Sequence, residues 1–333
     1  MAQVSAANEV RAGVDLGGTK IQAVVVDSGN AVLGQARLPT PTSGGPADVV
    51  AAMAEAVAEA AREAGVETSA LAGVGVGSPG VVDSAAGTVS EARNLPGWDG
   101  TFPLAATLAD LVHAPVSVAN DVRVAVQAEV RLGAGRPFSS LLGVFWGTGV
   151  GGAVVLDGRI WDGRGAAGEI GHMVVKRDGA HCTCGRRGCM EAYAGRAAME
   201  LRARKLVEHG EHTSLFEIME HRGRTRLTAG VWARALEHGD AMAVALIDRA
   251  VEALGAGIAS AVNLLDVEAV VIGGGLGTRL GEPYAKRIEH AMTPHLFVDE
   301  RPPTVCLAAL GDLGGAIGAA LASSEMSALP ARA

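Results

Sequence analysis

The sequence predicts an α/β protein of two domains related in build, with a cleft between them. Three observations carry this. A pattern of strand, glycine-rich turn, strand, turn and strand occurs twice, and each time alternating helices and strands follow it. The 333 residues exceed one typical domain and suit two. Finally, 49% of residues are hydrophobic but only 3% aromatic, against 46 glycines. That composition favours cores made by close backbone approach and many tight turns.

In chain order, the apolar run 10–14 ends in DLGGTK, and IQAVVVD (21–27) and AVLGQARL (31–38) complete three short strands joined by Gly and Asn turns. Residues 46–65 are rich in Ala and Glu with a Pro near their start, which predicts a helix ending at Gly65. LAGVGVG (71–77) reads as a buried strand followed by a loop that runs through EARNLPGWDG. A short helix over 103–112, a strand over 115–119 and a helix over 120–133 opened by Asn120 follow. LLGVFW (141–146), GTGVGGAVVLDG and RIW repeat the opening pattern. Residues 190–208 and 228–264 are largely helical, with a polar stretch between them. VEAVVIGGG (267–275) is a strand entering a glycine loop, with a helix to about 292, a strand over 304–310 and a closing helix beyond.

The net charge of −8 supplies no basic footprint for nucleic acid. Neither a signal peptide nor a long apolar span is evident. Four cysteines, three of them clustered, do not make a secreted disulfide framework. The expectation is a soluble, cytoplasmic protein with no membrane or nucleic-acid partner.

Three glycine loops stand at strand ends. In DLGGTK, Gly17 and Gly18 allow backbone N–H groups to approach an anion, Thr19 adds a hydroxyl, Lys20 a charge, and Asp15 an oxygen suited to Mg2+. Gly-Gly is also the ordinary material of a hairpin turn. GTGVGG, with Thr148 and Gly149, repeats the arrangement, and IGGGL contributes Gly274 and Gly275 between a strand and a helix. None matches a Walker or dinucleotide fingerprint. Together they predict a nucleotide laid across two domains.

In SVANDVRVA, Asn120 and Asp121 lie where a strand gives way to a helix. Capping is the commonest task of either residue there. Asn120 can perform it and leave Asp121 to act as a general base towards a hydroxyl. His172, Cys182, Cys184 and Cys189 make a closed shell of one imidazole and three thiolates, the composition of a structural zinc site. His181 is a rival ligand. Three thiolates with no open position argue against catalytic zinc, and the C-x-x-C of a redox pair is missing. Glu169 and Glu191 flank this knuckle. Held rigidly, they suit the hydroxyls of a sugar, although an isolated Glu is most often a solvated charge.

DLGGTK (15–20), GSPG (77–80), NLPGW (94–98), AND (119–121), GTGVGG (147–152), GEIGH (168–172), CTCGRRGCME (182–191) and IGGGL (272–276) together resemble the ROK family of bacterial sugar kinases and repressors, over roughly residues 10–323. The resemblance implies an actin-like (ribonuclease-H-like) two-domain sugar kinase fold closing over a hexose. It implies transfer of phosphate from Mg2+-ATP to the 6-hydroxyl of D-glucose, with Asp121 as base. Gly80, Asn94, Asn120, Glu169, His172 and Glu191 would meet the sugar. His172, Cys182, Cys184 and Cys189 would hold structural Zn2+. Gly17, Gly18, Thr19, Lys20, Thr148 and Gly149 would face the phosphates, Asp15 the magnesium, and Gly274 and Gly275 the adenosine. Family members are commonly dimers, so a homodimer or tetramer is expected. Repressors of the family carry an added helix-turn-helix domain, for which about ten residues before the first strand are too few.

These readings divide the chain into an N-terminal α/β domain over 1–120, a larger C-terminal α/β domain over 121–310 holding the knuckle at 172–189, and a closing helix with tail over 311–333 that packs back towards the first domain. Alternatives are a kinase for N-acetylmannosamine, N-acetylglucosamine, mannose, fructose or allose, or a sugar sensor without turnover. Trp146 before GTG, and Gly195 after the knuckle, depart from the family pattern.

Overall fold

The computed structural model describes residues 9–92 and 95–326. The elements, in chain order, begin with β1 (Arg11–Leu16), β2 (Lys20–Val26), β3 (Val32–Pro39), α1 (Pro46–Ala64), β4 (Val74–Ser78), β5 (Val81–Asp83), β6 (Thr88–Ser90), α2 (Leu104–Val112), β7 (Val116–Asn120) and α3 (Asp121–Leu132). Then come β8 (Leu141–Trp146), β9 (Val150–Leu156), β10 (Arg159–Trp161), α4 (Glu191–Ala194), α5 (Arg196–Glu208), α6 (Leu215–His221), α7 (Ala229–Glu237) and α8 (Ala241–Leu265). The last are β11 (Ala269–Gly273), α9 (Gly274–Leu280), α10 (Glu282–Met292), β12 (Thr304–Leu307) and α11 (Gly314–Met326).

Two compact units result: Met1–Leu132 with Leu310–Ala333, and Gly133–Ala309. The first boundary falls after α3, not at residue 120 as the sequence predicts. The reason is non-local. α11 packs on α3, where a Cβ on Gly318 would collide with the carbonyl of Val124.

The first unit holds a five-stranded sheet in the order β3-β2-β1-β4-β7. β1, β2 and β3 pair antiparallel, and β4 pairs parallel with both β1 and β7. Alternate residues of β1 and β2 bury Ala12, Val14, Ile21, Ala23 and Val25 in a core closed by Met53, Val57, Leu104 and Leu108 of α1 and α2. The other face packs Val24 and Val26 against Ala316, Ile317 and Ala320 of α11. That contact requires glycine: a Cβ on Gly13 or Gly75 would collide with the carbonyl oxygens of Ala316 or Ala319.

In the second unit the order β10-β9-β8-β11-β12 has the same form, with two antiparallel pairings and two parallel ones. Its core joins Val144, Trp146 and Ile272 to Leu246, Ile247, Leu254 and Ile258 of α8. Each such large side chain contributes roughly 1.5–3 kcal/mol when fully buried. Asp240 caps α8 through the Ala243 N–H at 2.8 Å and also accepts from the Ser214 N–H at 2.6 Å. Several expected continuous elements are divided. The region over 190–208 breaks at Gly195, that over 228–264 breaks between α7 and α8, and the helix towards 292 breaks at Gly281, whose φ is +71°. The intervening polar stretch contains α6, the presumed loop after β4 contains the β5–β6 hairpin, and the last strand ends at Leu307. No helix among the described residues is long and apolar enough to cross a membrane.

Candidate active site

The first unit gathers one set of candidate residues at the C-terminal end of its parallel strands. Asp15 lies opposite Gly77 across the β1–β4 ladder, and Asn120 opposite Ser78 across β4–β7. The β1–β2 turn is closed by the Gly17 N–H donating to the Lys20 carbonyl at 2.9 Å, which leaves Gly18 and the exposed Thr19 at its tip. Thr40 anchors the turn, its hydroxyl donating to the Gly17 carbonyl at 2.6 Å. Lys20 reaches Asp312 at 3.5 Å, so its charge is shared with a carboxylate from the turn just before α11.

Asn120 performs the capping. Its Oδ1 accepts from the N–H groups of Val122 at 3.1 Å and Arg123 at 3.2 Å. Asp121, the first residue of α3, also takes the Val122 N–H at 2.9 Å through Oδ1. This fixes the carboxylate's orientation. Asp15 is pushed up to about 6, first by burial and then by the negative charge of Asp121, with Lys20 opposing and Asp312 adding. A carboxylate whose ionisation is opposed by burial and by a neighbouring carboxylate fits a divalent cation, which would relieve the penalty with oxygen ligands.

Gly80 has φ +91°, a left-handed conformation, and a Cβ there would come within 3.0 Å of Ala92. It shapes the turn between β4 and β5. Asn94 lies outside the described residues.

The second unit gathers the knuckle. His172, Cys182, Cys184 and Cys189 place their ligand atoms within 4.8 Å of one another. Cys182 Sγ is 3.7 Å from His172 Nδ1, and Cys184 Sγ 3.7 Å from Cys189 Sγ. A tetrahedron with metal–sulfur bonds of about 2.3 Å has sulfur–sulfur edges of about 3.8 Å, so these residues fit zinc. The fold supports the cluster. Gly185 at φ +86° turns the chain, the Cys182 N–H donates to the Arg186 carbonyl at 2.9 Å, and the Ala180 N–H donates to the Tyr193 hydroxyl at 2.8 Å. His181 points elsewhere, its Nε2 lying 2.6 Å from Arg187 Nη1. Burial opposes ionisation of Cys184, but the Arg186 N–H, the other two thiols and His172 outweigh it and lower its pKa to about 7. Burial and then the neighbouring thiols push Cys189 up to about 12. One thiolate forms readily and further negative charge is resisted, a penalty that a cation held by these residues would offset.

His172 Nε2 lies 4.0 Å from Glu169 Oε2, and the Glu169 side chain is exposed. Glu191 ties the knuckle to the neighbouring glycine loop: its Oε2 accepts from the Val150 N–H at 2.9 Å, and its Oε1 lies 3.9 Å from Cys182 Sγ. Gly149 has no room for a side chain because Glu191 occupies that space. The 147–149 loop also meets the IGGGL loop, since a Cβ on Gly147 would come within 3.8 Å of the Gly275 nitrogen while Gly275 itself faces open space. A Cβ on Gly274, at φ +80°, would strike the Trp146 backbone. Trp146 is fully buried, and its indole N–H donates to the Ala194 carbonyl at 2.7 Å. It therefore anchors the loop from beneath.

Sequence reasoning missed Asp312 and Arg196. Asp312 sits in a second DLGG, at 312–315, which repeats the first in plain sight. Arg196 follows the Gly195 already noted as unusual, and its Nη2 donates to Thr148 Oγ1 at 2.7 Å.

The description "ROK family" matches residues 11–325. A glucokinase of Thermotoga maritima is 34% identical over 274 residues, 81% of this chain and 83% of the relative. An N-acetylmannosamine kinase of Haemophilus influenzae is 31% identical over 312 residues, 92% of this chain and 93% of the relative. The crystal structure of a ROK family glucokinase from Streptomyces griseus in complex with glucose and AMPPNP superimposes with a TM-score of 0.80 at 31% identity, covering 95% of this chain and 99% of that one. The fold is thus the two-domain, actin-like α/β fold of the sugar kinases, and the chain belongs to the ROK family.

Proposed function

We propose that this protein is an ATP-dependent hexokinase that phosphorylates the 6-hydroxyl of D-glucose. The observation that carries the reading is the pair of neighbouring carboxylates, Asp15 and Asp121, at the C-terminal end of the parallel strands beside the Gly17–Gly18 turn. That is where open α/β sheets bind ligands. Asp121 accepts the proton of the sugar hydroxyl as its oxygen bonds to the γ-phosphorus and the bond to the ADP oxygen breaks. Asp15 is the residue suited to hold Mg2+, which when bound supplies charge stabilisation to the phosphates. In the first unit Gly18 and Thr19, at the tip of a turn closed by the Gly17 N–H, offer hydrogen-bond donors to a phosphate. In the second, Thr148 and Gly149 are suited to the same task, and Gly275, next to the tightly packed Gly274, faces open space that suits an adenosine.

His172 and the three cysteines would hold zinc as a scaffold, and so bound they would fix His172 and, through the short chain from Cys189, Glu191, so that imidazole and carboxylate could meet sugar hydroxyls in a fixed geometry. Glucose as substrate is supported by the Thermotoga and Streptomyces relatives, and the Haemophilus relative favours an N-acetylated hexose as the second reading. Phosphorus-coupled carbon spectra of the product test the reaction. Coupling at C6 of glucose is expected. A phosphate on C1, or on N-acetylmannosamine in preference to glucose, would overturn the glucose reading.

A further inference from the structure

We propose that Arg196 is a phosphate-binding residue of the nucleotide site, supplying to the 147–149 loop the positive charge that its backbone lacks. The proposal rests on the kinase reading above and extends it to a residue outside the motifs. Arg196 opens α5, and its side chain returns over the loop to donate from Nη2 to the Thr148 hydroxyl at 2.7 Å. Thr148 is exposed, while Arg196 is half-buried. The guanidinium thus stands at the margin of the loop with part of its donor fork unused by Thr148.

The backbone around it explains why a side chain is needed. A helix start ordinarily offers free N–H groups to an anion. Here the Arg196 N–H donates to the Gly147 carbonyl at 3.2 Å and the Ala197 N–H to the Thr148 carbonyl at 3.0 Å. Those bonds satisfy two carbonyl oxygens that would otherwise repel a phosphate, and they consume the donors that would have bound it. The side chain of Arg196 replaces them.

Among the described residues, no carboxylate lies within ion-pair distance of Arg196. The nearby carboxylate, Glu200, is already engaged by Arg204 at 2.8 Å, Arg226 at 3.4 Å and the Leu227 N–H at 3.0 Å. Burial, and then the like charge of Arg226, disfavour the guanidinium's charge, with Glu200 only partly offsetting them. A desolvated cation with a planar donor fork and no matched anion is suited to a phosphate, to which arginine binds through two parallel bonds. The chain carries a net charge of −8, against which a local cation favours anion binding here.

The test separates phosphate binding from mere support of the loop. Arg196→Gln keeps an N–H donor for Thr148 and removes the charge. Calorimetric affinities for AMPPNP, adenosine and glucose are measured for both proteins, together with the melting temperature. The expected result is a loss of roughly 10- to 100-fold in AMPPNP affinity, the range of one hydrogen bond to a charged group, with adenosine, glucose and melting temperature unchanged. A shallower salt dependence of AMPPNP binding should accompany it. Unaltered AMPPNP affinity, or an equal loss for adenosine, would overturn the assignment of Arg196 alone. Wild-type protein that bound no adenine nucleotide would overturn the kinase reading and the assignment with it.

Discussion

In the proposed mechanism Asp121 and Asp15 have different tasks because their surroundings differ. Asp121 is oriented by the first turn of α3, with Asn120 beside it as the cap. Its replacement by Asn keeps the shape and loses the base, so kcat should fall by at least about 100-fold while glucose affinity, read by titration, stays within a few-fold. Asp15 bears the electrostatic cost. Its folded-state value, about 6, exceeds the ordinary 3.8. The folded protein therefore holds this proton more tightly than the unfolded chain does. The stability so gained is complete below about 3.8 and is lost as pH rises through about 6. Asp15→Asn in metal-free protein should accordingly raise stability at pH 8 by about 1–2 kcal/mol, after allowance for the residue's partial solvent contact. Urea midpoints at pH 8 and pH 5 check this: the gain should shrink at the lower pH. A gain that grew towards pH 5 would contradict the sign.

At the scale of elements, the knuckle and the glycine loop behave as one assembly through Glu191 and Val150. Cys184→Ser should release zinc, measured by elemental analysis, and weaken glucose binding through the misplaced His172 and Glu191. An unchanged glucose KM in demonstrably zinc-free protein would contradict the scaffolding role. α11 offers a second test. Gly13→Ala places a methyl group against the Ala316 carbonyl and should cost about 1–3 kcal/mol by denaturant unfolding. The strands and glycine turns were legible because period-2 apolar runs end at Gly-rich breaks. α6 was not: seven residues, LFEIMEH, make too few turns to show a periodicity between polar flanks. The three-residue strands of β5 and β6 are shorter still. That His172 and the three cysteines would converge was readable from composition and spacing. The contact of Arg196 with Thr148, 48 positions apart, was not.

On the scale of the whole molecule, the repeated opening motif folds into two sheets of the same order and the same mixture of pairings. The return of the closing helix to the first unit is as the sequence predicts, but the boundary lies at 132 instead of 120 because α3 packs against that helix. A segment beginning at Leu310 completes the unit that the chain had left at Leu132, and no local pattern at residues 120–132 announces that packing. The Leu310 N–H donates to the carboxylate of Glu129 at 2.9 Å, so α3 is held to its unit by the far end of the chain.

The most direct measurement of the central claim is ADP release by the purified protein with Mg2+-ATP, with glucose, N-acetylmannosamine, N-acetylglucosamine, mannose, fructose and allose supplied separately. Hexose-dependent release with the highest kcat/KM for glucose is expected, abolished to background in Asp121→Asn. Release that depended on no sugar, or that survived undiminished in Asp121→Asn, would contradict it.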